Sequence, residues 1–103
     1  MSAAEFAAEV EGSDTPVLVD FYAQWCGPCK LIVPSLEAVE KEWEGKVKVV
    51  KVDTDAHQDA VAKYKIFGLP LLIAFVGGKE VKRHEGALGK PQLDNFMKSA
   101  FGS

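Results

Sequence analysis

Residues 17–43 read Val-Leu-Val-Asp-Phe-Tyr-Ala-Gln-Trp-Cys-Gly-Pro-Cys-Lys-Leu-Ile-Val-Pro-Ser-Leu-Glu-Ala-Val-Glu-Lys-Glu-Trp, and this stretch decides the fold. Val17–Tyr22 is short, β-branched and aromatic, and nearly continuously apolar, which describes a strand covered on both faces. Trp25-Cys26-Gly27-Pro28-Cys29 then reads as a loop turning into a helix, because Pro28 suits a first helical turn, where a missing N–H costs nothing. Ile32, Leu36, Val39 and Trp43 recur at helical spacing and form a core-facing stripe, while Glu37, Glu40, Lys41, Glu42 and Glu44 fill the other face. Pro34 falls inside this pattern and predicts a kink after the first turn. Gly45 ends the helix.

Outward from this unit, Val47–Val52 reads as a second strand. A strand, a long helix and a strand in succession demand a right-handed parallel crossover. Asp53-Thr-Asp55 ends that strand, and Asp55 with Gln58 resembles a helix cap before a short helix at 56–65. Gly68-Leu69-Pro70 breaks the chain. Leu71–Val76 is a third apolar strand, Gly77-Gly78 a hairpin turn, and Lys79–His84 a polar edge strand. Pro91 opens a last helix whose Leu93, Phe96, Met97, Ala100 and Phe101 share one face. At the other end, Ser2 and Glu5 form a capping-box pattern for a helix over 2–11, with Phe6 and Val10 inward and Gly12 as its stop. The order α-β-α-β-α-β-β-α predicts a mixed sheet with helices on both faces, an α/β sandwich.

Composition narrows the function. With 103 residues, 48% hydrophobic and 26% charged, the chain is read as a single domain over 1–103 that buries a core without staples. Twelve basic against fifteen acidic residues, with no Lys/Arg run, argue against a nucleic-acid partner. No apolar run approaches the ~20 residues of a membrane span. Met1–Val10 has neither a basic n-region nor an apolar h-region, so no secretory signal is expected.

The only cysteines are Cys26 and Cys29. Their bond would close a tiny loop and constrain little of the unfolded chain, so if they pair, the bond serves chemistry. Three readings stand. A zinc site lacks ligands, since His57 and His84 lie far apart in sequence and read as surface residues. An inert buried pair fits a loop–helix junction poorly. A redox dithiol fits best: a helix N-terminus favours a thiolate at Cys26, and Cys29, one turn in and more enclosed, is placed to attack a mixed disulfide.

Val19–Lys30, Val-Asp-Phe-Tyr-Ala-Gln-Trp-Cys-Gly-Pro-Cys-Lys, resembles the active-site segment of the thioredoxin family, itself a standard case of a lowered thiol pKa. The resemblance covers residues 2–102. It sets Pro34 at the family's helix kink, Lys51 at its buried-site lysine, Gly68-Leu69-Pro70 at its cis-proline loop and Gly86-Ala87 at its second substrate-contact loop. Residues 20–23, 49–55 and 85–88 also resemble the y-type thioredoxins of chloroplasts and cyanobacteria. Two features depart from the pattern: Leu71 follows the proline where Thr is usual, and the family's first edge strand is missing. The implied fold is thus a thioredoxin-like three-layer α/β/α sandwich with a mixed sheet of four strands.

The resemblance implies a thiol–disulfide oxidoreductase that reduces disulfides of target proteins and is recycled by a thioredoxin reductase, NADPH- or ferredoxin-linked. Cys26 and Cys29 would be catalytic, with Asp20 as proton acceptor and Lys51 tuning it. Trp25, Gly27, Pro28, Leu69, Pro70, Gly86 and Ala87 would contact substrate, Leu69 through backbone groups left open for an extended partner. No bound cofactor and no metal are implied. The expected state is a monomer in the cytoplasm, or in the chloroplast stroma if this is the mature form of a longer precursor. From its residues alone, Asp20 reads equally as a strand-end Asp bonded to a turn. Lys51 reads equally as a solvated lysine on an amphipathic strand. The rival functions are a disulfide oxidant or isomerase on the same fold and a non-catalytic binding subunit.

Overall fold

The computed structural model describes residues 3–102; the reading of Ser2 as a helix cap lies outside them. The elements are α1 (Ala3–Phe6), continued by a π-helical turn at Ala7–Glu11, then β1 (Val17–Tyr22), α2 (Gly27–Leu31) and α3 (Val33–Glu42). After these come β2 (Lys48–Asp53), a 3-10 turn (Thr54–Ala56), α4 (Gln58–Lys63), β3 (Leu71–Val76), β4 (Lys79–Glu85) and α5 (Lys90–Phe101). The sheet has the four strands expected, and they run in the order β2-β1-β3-β4. β1 pairs with β2 in parallel and with β3 antiparallel, and β3 with β4 antiparallel.

Alternation along β1 divides the core. Val17, Val19 and Phe21 join Phe6, Val10, Ala60, Ile73 and Phe75 on one side. Leu18 joins Ile32, Leu36, Val39, Leu72, Leu93, Phe96 and Met97 on the other. By the same period-two rule, Asp20 stands on the Leu18 face. The long helix breaks at Ile32, between α2 and α3. Pro34 has no N–H to continue the ladder, which accounts for the break. Gly77 and Gly78 both have positive φ, at 61° and 78°, as a tight hairpin requires. A Cβ on Gly78 would also run into the Glu11 carbonyl, so the hairpin seats directly on the end of the N-terminal helical segment.

The structure corrects several details. Asp55 is not the α4 cap: α4 begins after His57 without a side-chain cap and spans 58–63 rather than 56–65. The Asp53 side chain instead accepts the Asp55 N–H at 2.9 Å and caps the 3-10 turn. His57 is buried rather than on the surface, because this turn folds its ring back so that Nδ1 lies 3.0 Å from the Asp53 carbonyl. β2 sits one residue later than the apolar pattern suggested, since Val47 packs under Trp43 at the end of the preceding turn.

Candidate active site

Topology brings the candidate residues to one end of the sheet. The parallel strands β1 and β2 end there, antiparallel β3 begins there, and β4 ends there. Four chain segments therefore converge: the Cys loop after β1, the turn after β2, the Phe67–Pro70 loop before β3, and Gly86 after β4. This is the edge at which open α/β sheets place their sites.

Cys26 is the N-cap of α2, and its sulfur accepts the Cys29 N–H at 3.2 Å. Cys26 and Cys29 form a disulfide with Cα atoms 5.4 Å apart. The pair packs with Ala23 against Tyr22 and Leu69. Both cysteines are buried, Cys26 at 5% and Cys29 at 4% exposure, so enclosure barely separates them.

Asp20 is 2% exposed, and its Oδ1 has no hydrogen-bond partner. Burial pushes its carboxyl up to about 6, with the Lys51 ammonium pulling partly back. Lys51 is the residue paired with Asp20 in the β1–β2 register. It is exposed, because β2 is an edge strand whose alternate side chains face solvent. Asp20 and Cys29 line a common crevice of 390 Å³, with Lys30 and Lys51 at its margin.

The Leu69–Pro70 bond is cis and Pro70 is buried. The Gly86 N–H donates to the Pro70 carbonyl at 2.8 Å, tying the two loops together. Gly86 has φ +105°, which favours glycine there, and Ala87 is exposed beside it. Among the described residues no backbone hydrogen bond outside the regular elements uses the Leu69 N–H or C=O. Trp25 is 72% exposed, and its indole N–H donates to Asp55 at 3.1 Å. Trp25, Cys26, Gly27 and Pro28 line a 660 Å³ groove together with Asp55, Phe67, Gly68 and Leu69.

Sequence reasoning missed Asp55 as the acceptor that holds Trp25, and it missed Phe67, which is 90% exposed. Asp55 follows directly from its place after β2. Phe67 carried no signal, since nothing local distinguishes it from its buried neighbour Ile66. The described residues contain no cluster of three or more His, Cys, Asp or Glu able to hold a metal.

A dithiol at a helix N-terminus, beside an open groove and above a buried acid, defines a thiol–disulfide oxidoreductase site. The chain belongs to the thioredoxin family, whose sequence profile matches residues 1–99. It is 46% identical to chloroplastic thioredoxin X of Arabidopsis thaliana over 101 residues, 96% of this chain and 56% of the length of that relative. It is 45% identical to the thioredoxin of Pseudomonas aeruginosa (91% of this chain, 87% of the relative) and 44% identical to that of Haemophilus influenzae (91% and 88%). The chain is a protein-disulfide reductase that uses its own disulfide and no cofactor. Family membership implies disulfide-bearing targets and a thioredoxin reductase.

Proposed function

We propose that Cys26 is the attacking sulfur and Cys29 the resolving one, within a single domain spanning 1–103. The Cys26 thiolate attacks one sulfur of a target disulfide, forms a mixed disulfide and releases the first target thiolate. The Cys29 thiolate then attacks the Cys26 sulfur. The second target thiolate leaves, the Cys26–Cys29 disulfide forms, and two electrons have passed to the target. Asp20 takes the Cys29 proton through the crevice they share, and Lys51 moderates its basicity. Trp25, Gly27, Pro28, Leu69, Pro70, Gly86 and Ala87 form the contact surface, with the Leu69 backbone pairing with an extended segment. The observation that carries the assignment is the Cys26 sulfur at the helix N-cap, where backbone N–H groups and the helix dipole stabilise a thiolate.

The protein acts as a monomer, recycled by a flavin/NADPH or a ferredoxin-linked reductase, in the cytoplasm or in a chloroplast stroma. Relatives of both bacterial and chloroplastic description support this placement.

The test is trapping. Cys29→Ser accumulates a mixed disulfide through Cys26 with substrate proteins, while Cys26→Ser accumulates little. Mass spectrometry that finds the adduct mainly on Cys29 of the Cys26→Ser variant overturns the assignment.

A further inference from the structure

Building on the reading of Cys26 as the attacking sulfur, we propose that Phe67 is a specificity-determining contact. It selects target disulfides whose cysteine has an aromatic or aliphatic neighbour and no acidic one. Phe67 is the most exposed of the large hydrophobic side chains described, at 90%. A single exposed apolar residue is ordinary on a surface. This one lines the same groove as Cys26 and Trp25, the latter another exposed aromatic.

Its backbone is held on both sides. Ile66 before it is buried in the core, and its N–H donates to the Val61 carbonyl at 3.0 Å. Gly68 after it packs so closely on the Glu85 carboxylate that a Cβ would collide with it. Lys65 has a left-handed φ of 53°, and the chain direction changes there, so that Ile66 turns inward and Phe67 outward. The ring is thus presented on a fixed loop, and docking onto it orders little extra chain.

The Trp25 ring in the same lining is also held, because Asp55 accepts the indole N–H. Asp55 is the one charged side chain in the groove lining among the described residues, and no basic group balances it. An acidic residue beside the target cysteine therefore meets a like charge and an apolar wall, whereas an apolar residue loses water against Phe67 and Trp25. The groove continues directly from the reacting sulfur, so its occupant is the chain flanking the attacked disulfide.

The experiment uses the reduced full-length protein and three disulfide peptides that differ only in the residue next to the cysteine: Phe, Ser or Glu. Hydroxyethyl disulfide, which has no flanking chain, is the fourth substrate. The wild type reduces the Phe peptide fastest and the Glu peptide slowest. Phe67→Ser lowers the second-order rate constant for the Phe peptide about tenfold, the scale of losing one partly buried aromatic contact. The Ser peptide and hydroxyethyl disulfide stay within about twofold in this variant, and Phe67→Leu restores most of the loss. Equal losses on all four substrates, or no change on any, overturn the proposal. A Cys26→Ser variant that keeps its rate on hydroxyethyl disulfide overturns the underlying reading instead.

Discussion

Leu18 and Asp20 stand two residues apart on the same face of β1, both essentially out of contact with water, and burial acts on them in opposite directions. Leu18 sits among Ile32, Leu36, Leu72 and Leu93, where removing apolar surface from water stabilises the fold. Asp20 lies one step nearer the end of the strand, with an unpartnered oxygen and a raised pKa. The middle of the sheet follows the rules of burial, and the end that carries Cys26 breaks them. The same contrast appears among the aromatics. Phe21 and Phe75, within the strands, are buried, while Trp25 and Phe67, on the loops beyond them, stand in solvent. Stability resides in the two apolar layers, and reactivity resides where a charge is buried and rings are left exposed.

This contrast is testable on each side. Leu36→Ala in the layer under α3 removes a fully buried side chain and lowers unfolding stability by about 2–5 kcal/mol. The disulfide-reduction rate per folded molecule stays unchanged. Urea unfolding with activity measured on the same sample checks both. A variant that slows reduction without loss of stability breaks the division. At the reactive end, Trp25→Phe keeps a ring and loses only the exposed hydrogen bond to Asp55. It costs about 1 kcal/mol or less in the same unfolding measurement. A loss as large as that of Leu36→Ala places fold stability in the site itself.

Much of the architecture was legible from local pattern. The apolar run at 17–22, the stripe at Ile32, Leu36 and Val39, and the Gly77-Gly78 turn each carry a signal that tertiary context does not override. The Pro34 break is equally local. The misses share another cause. His57 looks like a surface residue until the 3-10 turn brings its ring to the Asp53 carbonyl. Asp55 looks like a cap until Trp25, thirty residues away in sequence, takes its carboxylate. Phe67 stands next to Ile66 with nothing local to tell which of the two faces solvent, and only the left-handed Lys65 and the anchored Ile66 turn it outward. Lys51, by contrast, reads both as a solvated lysine and as an electrostatic neighbour of Asp20, and it is both: exposed on an edge strand and paired in register with Asp20. Each miss is a side chain whose fate is set by a contact distant in sequence.

The most direct test of this account is Asp20→Asn, because stability and chemistry move in opposite directions. The Asp20 carboxyl has an ordinary value of 3.8 and is held at about 6 in the fold, chiefly by burial. The folded state therefore binds this proton more tightly than the unfolded chain does. The stability contributed by the group is full below the unfolded value and is lost as pH rises to about 6, and the deficit persists at pH 7. Each pH unit of that interval corresponds to about 1.4 kcal/mol, so Asn in place of Asp20 stabilises the protein by up to about 3 kcal/mol at pH 7. It also flattens the decline between pH 4 and 6. The measurement is denaturant unfolding across this range, paired with the rate at which Cys29 resolves a preformed mixed disulfide on Cys26. The account predicts a more stable variant that resolves more slowly. A variant that is less stable than the wild type and resolves as fast contradicts it.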